Sequence, residues 1–227
     1  ASEYELPPLH VHQHTVEIEH NDAHGLFAME AQTLSDRRDA RRASLVERVR
    51  ECARIVNADD QPWVVWCDLN AEGDALTAAI DGAVQISGAD DPDVKERRLH
   101  DFSAGRIRVL VSKPSICGFG LNWQHASRMA FVGVTDSFES YYQAVRREWR
   151  FGQTKPVHVH VFASNLEGAV VANLKRKERD ALAMAEAMAA ETIQAVRSEI
   201  FGFSKDTNIY QPARAIAVPA FLSREAA

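Results

Sequence analysis

The stretch PWVVWCD, residues 62–68, limits the fold more than any other part of this chain. Its five central residues are apolar without interruption, so a strand made of them buries both faces. A sheet with one wet side does not offer that environment, but a parallel sheet covered by helices on both sides does. The segments that follow repeat the signal. AEGDALTAAI has a helical pattern and AVQIS (83–87) is a short strand. DPDVKERRLHDFSAG is again helical, with Pro92 near its first turn and Gly105 past its end. IRVLVS (107–112), RMAFVGV (128–134) and PVHVHVF (156–162) read as three further strands. Strands alternating with helices at this spacing predict right-handed βαβ units and a mostly parallel sheet with helices on both faces.

The flanks have a different texture. YELPPLHVHQHTVEIEH alternates with period two from Leu9 to Ile18 and predicts an extended strand, with HNDAHG after it as a turn. Ser35 to Asn57 reads as a helix, with Leu45, Val49, Cys52, Ile55 and Val56 on one stripe and arginines on the other. Beyond Phe162, Ser164 and Glu167 are spaced as a capping box, and no Gly or Pro falls between Gly168 and Ile200. That predicts one long helix, or two with a break, before an irregular tail containing Pro212 and Pro219. The expected organisation is an N-terminal strand and linker over 1–30, an α/β lobe over 31–162, and a helical extension with tail over 163–227.

Bulk properties exclude several classes. Cys52, Cys67 and Cys117 are odd in number and widely spaced, which argues against a disulfide framework and a zinc knuckle. No apolar run reaches the roughly 20 residues of a membrane span, and no signal-peptide pattern opens the chain, so a cytoplasmic location without membrane contact is expected. A net charge of −6 gives no general pull toward nucleic acid, and any such contact needs a local basic surface. His10, His12 and His14 share a strand face, but no Cys or acidic cluster completes a metal site, and a polar strand face is the expectation. Trp63 and Trp66 are expected in the core.

Two segments carry candidate chemistry. SKPSICGFGLNWQ (112–124) leaves the third strand of the central series, where Gly118 and Gly120 allow close backbone approach and Ser112, Lys113, Ser115 and Asn122 supply donors. In open α/β sheets ligands bind beyond the carboxyl ends of strands. YYQAVRREWRFGQ (141–153) follows as a short helix, for which Asp136 and Glu139 are spaced as N-cap and N3 partner. On a 3.6-residue period Gln143, Arg147 and Arg150 share one face, and guanidinium forks suit bidentate contact to phosphate oxygens. A charge run of this kind is often a solvated helix face, with Glu148 as a local ion-pair partner.

Taken together, VQISGADDPDVKERRLHDFSAGRIRVLVSKPSICGFGLNWQ and QAVRREWRFGQ resemble the second RecA-like lobe of superfamily-2 helicases and translocases. The likeness is strongest to the Swi/Snf-type DNA-dependent ATPases and their phage-borne relatives. Gln143, Ala144, Arg147, Arg150, Gly152 and Gln153 match that family's motif VI, QAxxRxxRxGQ, while GxGxN at 118–122 matches motif V. WVVWCDLNAEGDAL stands where motif IV is expected, and Gly88, Lys95 and Phe102 fit the segment after it. Residues 60 to 165 are covered, and the usual Thr early in motif V is replaced around Lys113 and Pro114.

The resemblance implies a RecA-like, P-loop NTPase-type three-layer fold with a long C-terminal helical extension. It implies that Arg147 and Arg150 are arginine fingers toward ATP, with Gly118, Gly120, Asn122, Gln143 and Gln153 lining the nucleotide cleft. Lys95, Lys113 and Ser115 would contact a nucleic-acid backbone, duplex DNA being favoured. A complete motor also needs a GxxxxGK[ST] loop and an acidic Mg²⁺ motif, and neither occurs in these 227 residues. The resemblance therefore implies a C-terminal lobe that works with an N-terminal lobe holding ATP and Mg²⁺, and that does not hydrolyse ATP alone. An RNA or single-strand helicase lobe, and a non-catalytic helicase-like binding module, are the alternatives.

Overall fold

The computed structural model describes residues 6–18, 41–117, 122–133 and 137–167, with positions 172, 173, 176, 177, 179, 180 and 183 beyond them. The chain divides into compact units of residues 1–180 and 181–227, and the elements below all belong to the first. The expected HNDAHG turn with His20 and His24, Asp136, Gly118, Gly120 and most of the expected C-terminal helix lie outside the described residues.

Six strands form one sheet: β1 (Leu9–Val16), β2 (Trp63–Cys67), β3 (Ala83–Ile86), β4 (Val109–Ser112), β5 (Arg128–Val132) and β6 (Val157–Ser164). Their order is β1-β6-β5-β2-β4-β3, and every neighbouring pair is parallel. Trp63, Val65 and Cys67 of β2 face one side with Val109, Val111 and Phe162; Val64 and Trp66 face the other with Leu110, Met129, Phe131 and Val159. Burial on both faces is what the uninterrupted apolar run of β2 requires. Helices α1 (Leu45–Asn57) and α2 (Asn70–Ala79) cover the first side through Val49, Cys52, Val56 and Leu76. Helices α3 (Pro92–Ser103) and α4 (Phe138–Val145) cover the second through Phe102, Ala144 and Val145.

Local signals explain the helix ends. The Asp91 side chain accepts from Asp93 N at the start of α3, Pro92 occupies the first turn, and Gly105 follows with φ +74°. The Ser164 and Glu167 pair forms as spaced, because Glu167 Oε2 accepts from Ser164 N at 3.0 Å and Ser164 Oγ at 2.9 Å. Of the helix expected from Ser35 to Asn57, residues 35–40 lie outside the described residues, 41–43 are helical, and after a turn at Ser44 the helix continues as α1 from Leu45. Arg48, expected on a wet stripe, is fully buried: its Nη2 donates to Glu72 Oε1 at 2.8 Å and to Arg41 O at 2.6 Å. Among the described residues no helix is long and apolar enough to cross a membrane.

The N-terminal strand joins this sheet as an edge. His12 and His14 pair across to His158 and His160, with ring nitrogens 3.0 Å apart in each pair, and the five rings from His10 to His160 interleave at centroid separations of 4.6–5.3 Å. One N–H can serve each pair only while the facing nitrogen stays bare. Burial lowers the pKa values of His14, His158 and His160, the last to about 3 from the ordinary 6.5. Glu51 opposes the shift at His14, Asp59 opposes it at His158, and the neighbouring imidazoles and Arg128 add to it at His160. The folded state then binds fewer protons than the unfolded one below pH 6.5, so stability present above that value falls as the pH drops toward the folded value. Thermal melting of the chain between pH 7 and pH 5 is expected to show a falling midpoint, and His160→Gln is expected to flatten that slope; a slope unchanged by the substitution counts against the ladder as its source.

Candidate nucleotide-facing turn and nucleic-acid surface

The segment 141–153 is only partly helical. Helix α4 is capped by Ser137, whose side chain accepts from Ser140 N, rather than by the expected Asp136 and Glu139 pair. It ends at Val145, with Arg146 as C-cap. Arg147 N then bonds Ala144 O at 3.3 Å and Glu148 N bonds Val145 O at 3.2 Å, while Gln153 N reaches Arg150 O at 3.0 Å. These three-residue closures wind the chain more tightly than an α-helix. The expected helical face of Gln143, Arg147 and Arg150 is therefore corrected: Gln143 is exposed on α4, and both arginines lie in the turn after it. Gly152 closes the turn at φ +86°, a backbone conformation that a side chain disfavours.

Segment 122–126, which leads into β5, holds this turn in place. Trp123 N donates to Arg147 O at 3.1 Å, Gln124 Nε2 to Phe151 O at 2.6 Å, and Gln153 Nε2 to Ala126 O at 2.8 Å. The Arg150 Nη1 donates to Asn122 Oδ1. Motif residues expected together thus meet, but at the amino-end side of the sheet, because a segment entering a parallel strand lies there. Lys113 and Ser115 sit instead just past the carboxyl end of β4, close to a small cleft lined by Asp68, Pro114, Gly133 and Ser140. Lys95 Nζ donates to Gly88 O at 2.8 Å, which joins the start of α3 to the loop after β3.

The two arginines occupy different environments. Arg147 is 8% exposed, and its guanidinium lies over the indoles of Trp66 and Trp123, at 5.6 and 5.7 Å from the ring centres. Each such cation–π contact is worth about 1 kcal/mol, rising toward 2 when desolvated. Burial lowers the Arg147 pKa, with Cys117 opposing. Arg150 is half-exposed beside the exposed Phe151. Gln153, expected at the nucleotide, is buried and its amide donates to Ala126 O and Glu148 O. Trp123 is fully buried, and Trp63 and Trp66, expected in the core, are buried at 1%. The indole cradle and the Gln124 contact were not predicted from sequence; the only local signal was the large aromatic directly after Asn122. Among the described residues no group of three or more His, Cys, Asp or Glu is arranged to hold a metal ion.

Glu148, between the two arginines in sequence, is fully buried with neither carboxylate oxygen hydrogen-bonded, and burial raises its pKa well above the ordinary carboxylate range. The folded state therefore holds this proton more tightly than the unfolded chain, and stability declines as pH rises from the ordinary carboxylate value through the raised one. Glu148→Gln, which keeps the shape and cannot ionise, is expected to melt higher than the parent by on the order of 5 °C at pH 8. The gap should close near pH 4.5 in scanning calorimetry; a pH-independent gap would show that ionisation of Glu148 is not involved.

Comparison with known proteins finds similarity over the central part of the chain. The model described as the helicase conserved C-terminal domain matches residues 55–152. The bifunctional helicase and thymine dioxygenase JBP2 of Leishmania braziliensis is 30% identical over 97 residues, which is 42% of this chain and 9% of that protein. The ATP-dependent DNA helicase Q4 of Homo sapiens is 40% identical over 70 residues, 30% of this chain and 6% of that one. The chain thus spans under a tenth of the length of these relatives. Among solved structures, the C-terminal part of the Fun30 ATPase domain superposes with a TM-score of 0.50 at 14% identity, covering 58% of this chain and 45% of that chain. The C-terminal domain of the DEAD-box protein Dbp5 gives 0.52 at 12% identity, covering 60% and 80%. Residues 55–152 are thus similar in sequence to the helicase conserved C-terminal domain, and the parallel sheet with its covering helices shares its fold with the two solved C-terminal structures.

Proposed function

We propose that this lobe is the second motor lobe of an ATP-dependent DNA helicase or translocase of Swi/Snf-like type, which lends its arginine turn to an ATP site held mainly by an N-terminal lobe. The observation that supports this most directly is Arg150, a half-exposed guanidinium in a turn locked to segment 122–126 and paired with Asn122. A fixed guanidinium of this kind stabilises charge on a transferring phosphoryl group with little reorganisation, an effect worth about 10³ to 10⁵ in rate. Arg147 supplies the second finger, and its guanidinium reaches nucleotide by leaving the cradle of Trp66 and Trp123. Gln143 lies exposed on α4 within reach of a partner surface. Gly118 and Gly120, outside the described residues, would let the motif V backbone approach the nucleotide. In this reading ATP and Mg²⁺ are held mainly by the N-terminal lobe.

Lys95, Lys113 and Ser115 belong to a different surface and fit a phosphate backbone, where cations add affinity without sequence information. Separate surfaces for ATP and DNA let closure against an N-terminal lobe change the grip on DNA, which is what stepping along a duplex requires.

Arg150→Ala in the native full-length polypeptide is expected to keep ATP binding within a few-fold and to lower duplex-DNA-stimulated hydrolysis by at least about 10². Unaltered turnover would show that the turn is only a charged surface. The 227-residue chain alone, given ATP and duplex DNA, is expected to release no phosphate, and turnover that survives repurification would contradict the shared-site reading.

A further inference from the structure

Among the described residues, the indole nitrogens of Trp63, Trp66 and Trp123 are buried without a hydrogen-bond partner, so those rings serve as apolar bulk. Trp149 differs. Its Nε1 donates to Pro7 O at 2.7 Å, across 142 positions of sequence, and its ring carries the Arg146 guanidinium at 5.5 Å from its centre. The acceptor is also unusual. Pro7 precedes Pro8, so Pro7 is held to extended backbone and the rings fix φ at both positions, and Pro8 O accepts from Val157 N at 2.9 Å at the start of β6. Two adjacent carbonyls on a stiff strut therefore grip the arginine turn and the strand that follows it. On the opposite side the same turn is held by segment 122–126.

We propose that Trp149 is a positioning residue that fixes Arg150 by tethering the arginine turn to the diproline strut leading into β1. The inference rests on the proposed role of Arg150. Arg150 follows Trp149 directly in a turn whose backbone is held there by Trp149 N to Val145 O at 3.0 Å and Arg150 N to Glu148 O at 3.1 Å, so freeing the indole removes the side-chain hold that Trp149 places on the backbone carrying the guanidinium. The tether also gives the N-terminal entry segment a mechanical hold on the arginine turn: any displacement of residues 6–8 is delivered to the residue next to Arg150.

The test compares Trp149→Phe with Arg150→Ala in the native full-length polypeptide, under saturating duplex DNA. Phe keeps the ring beneath Arg146 and removes only the N–H donor. The expected result is a kcat about fivefold to tenfold lower, the net worth of one hydrogen bond, with KM for ATP and melting temperature little changed. Trp149→His, which retains a ring N–H, is expected to recover part of that loss. Pro7→Gly combined with Pro8→Gly keeps both carbonyls but loosens the strut, and is expected to lower kcat in the same way. In the 227-residue chain, the Trp149 indole N–H resonance is expected to be protected from solvent exchange and to lose that protection in the double glycine variant. If Arg150→Ala abolishes turnover while Trp149→Phe leaves kcat unchanged, the tether is overturned and the function stands. If Trp149→Phe lowers kcat only in proportion to a loss of folded protein, Trp149 is structural and the inference is again overturned. If Arg150→Ala has no effect, the function and the tether fall together.

Discussion

The buried ion cluster around Arg48 is the constraint on which the lobe depends. Arg48 and Glu72 are each 0% exposed and 2.8 Å apart, and Glu167 adds a second carboxylate 3.7 Å from the Arg48 Nε. Stripping water from such groups is costly, and the cluster survives because hydrogen bonds compensate. Glu72 Oε2 accepts from Asp68 N and Leu69 N where β2 passes into α2, Glu167 closes the end of β6, and Arg41 bridges Asp68 and Glu167. Even β5 is involved: Gly133 follows it at φ +106°, and a Cβ there would stand 2.3 Å from Glu72 Oε2. One cluster thus pins the carboxyl ends of three strands and the helices beside them. Removing a single partner from such a cluster would leave an uncompensated buried charge, which costs about 3–5 kcal/mol.

At the other end of the sheet the design is different. The arginine turn mixes short backbone closures of its own with holds from its surroundings: Gln124 and Gln153 on one side, the Pro7 carbonyl on another, and two indoles beneath Arg147. Such a turn is stiff only while its neighbours are in place. A rigid carboxyl end and a conditionally held amino end would suit the proposed role, in which the scaffold stays constant while the turn responds. The unpartnered Glu148 carboxylate within the turn is consistent with local stability having been given up there.

Much of the fold was legible in the sequence because it depends on periodicities that backbone geometry enforces. The doubly apolar WVVWC, the capped and glycine-terminated α3, and the Ser164 and Glu167 pair all formed as their spacing indicated. The end of α4 was not legible, since QAVRREWRFGQ is a good helical pattern up to Phe151 and the break at Val145 comes from contacts with residues 122–126. Arg48 misled for a related reason: an arginine on a helix is exposed by default, and only carboxylates 24 and 119 positions away make its burial tolerable.

The chain's sequence by itself determined the βαβ alternation, the parallel sheet and the family motifs, because short-range apolar spacing and chain chirality leave few alternatives. Only the tertiary structure decided that Arg147 lies between two indoles while Arg150 is half-exposed, and that the motif residues divide between the two ends of the sheet. Those outcomes depend on which distant side chains meet, and burial and hydrogen bonding between residues far apart in the chain have no local spacing to announce them.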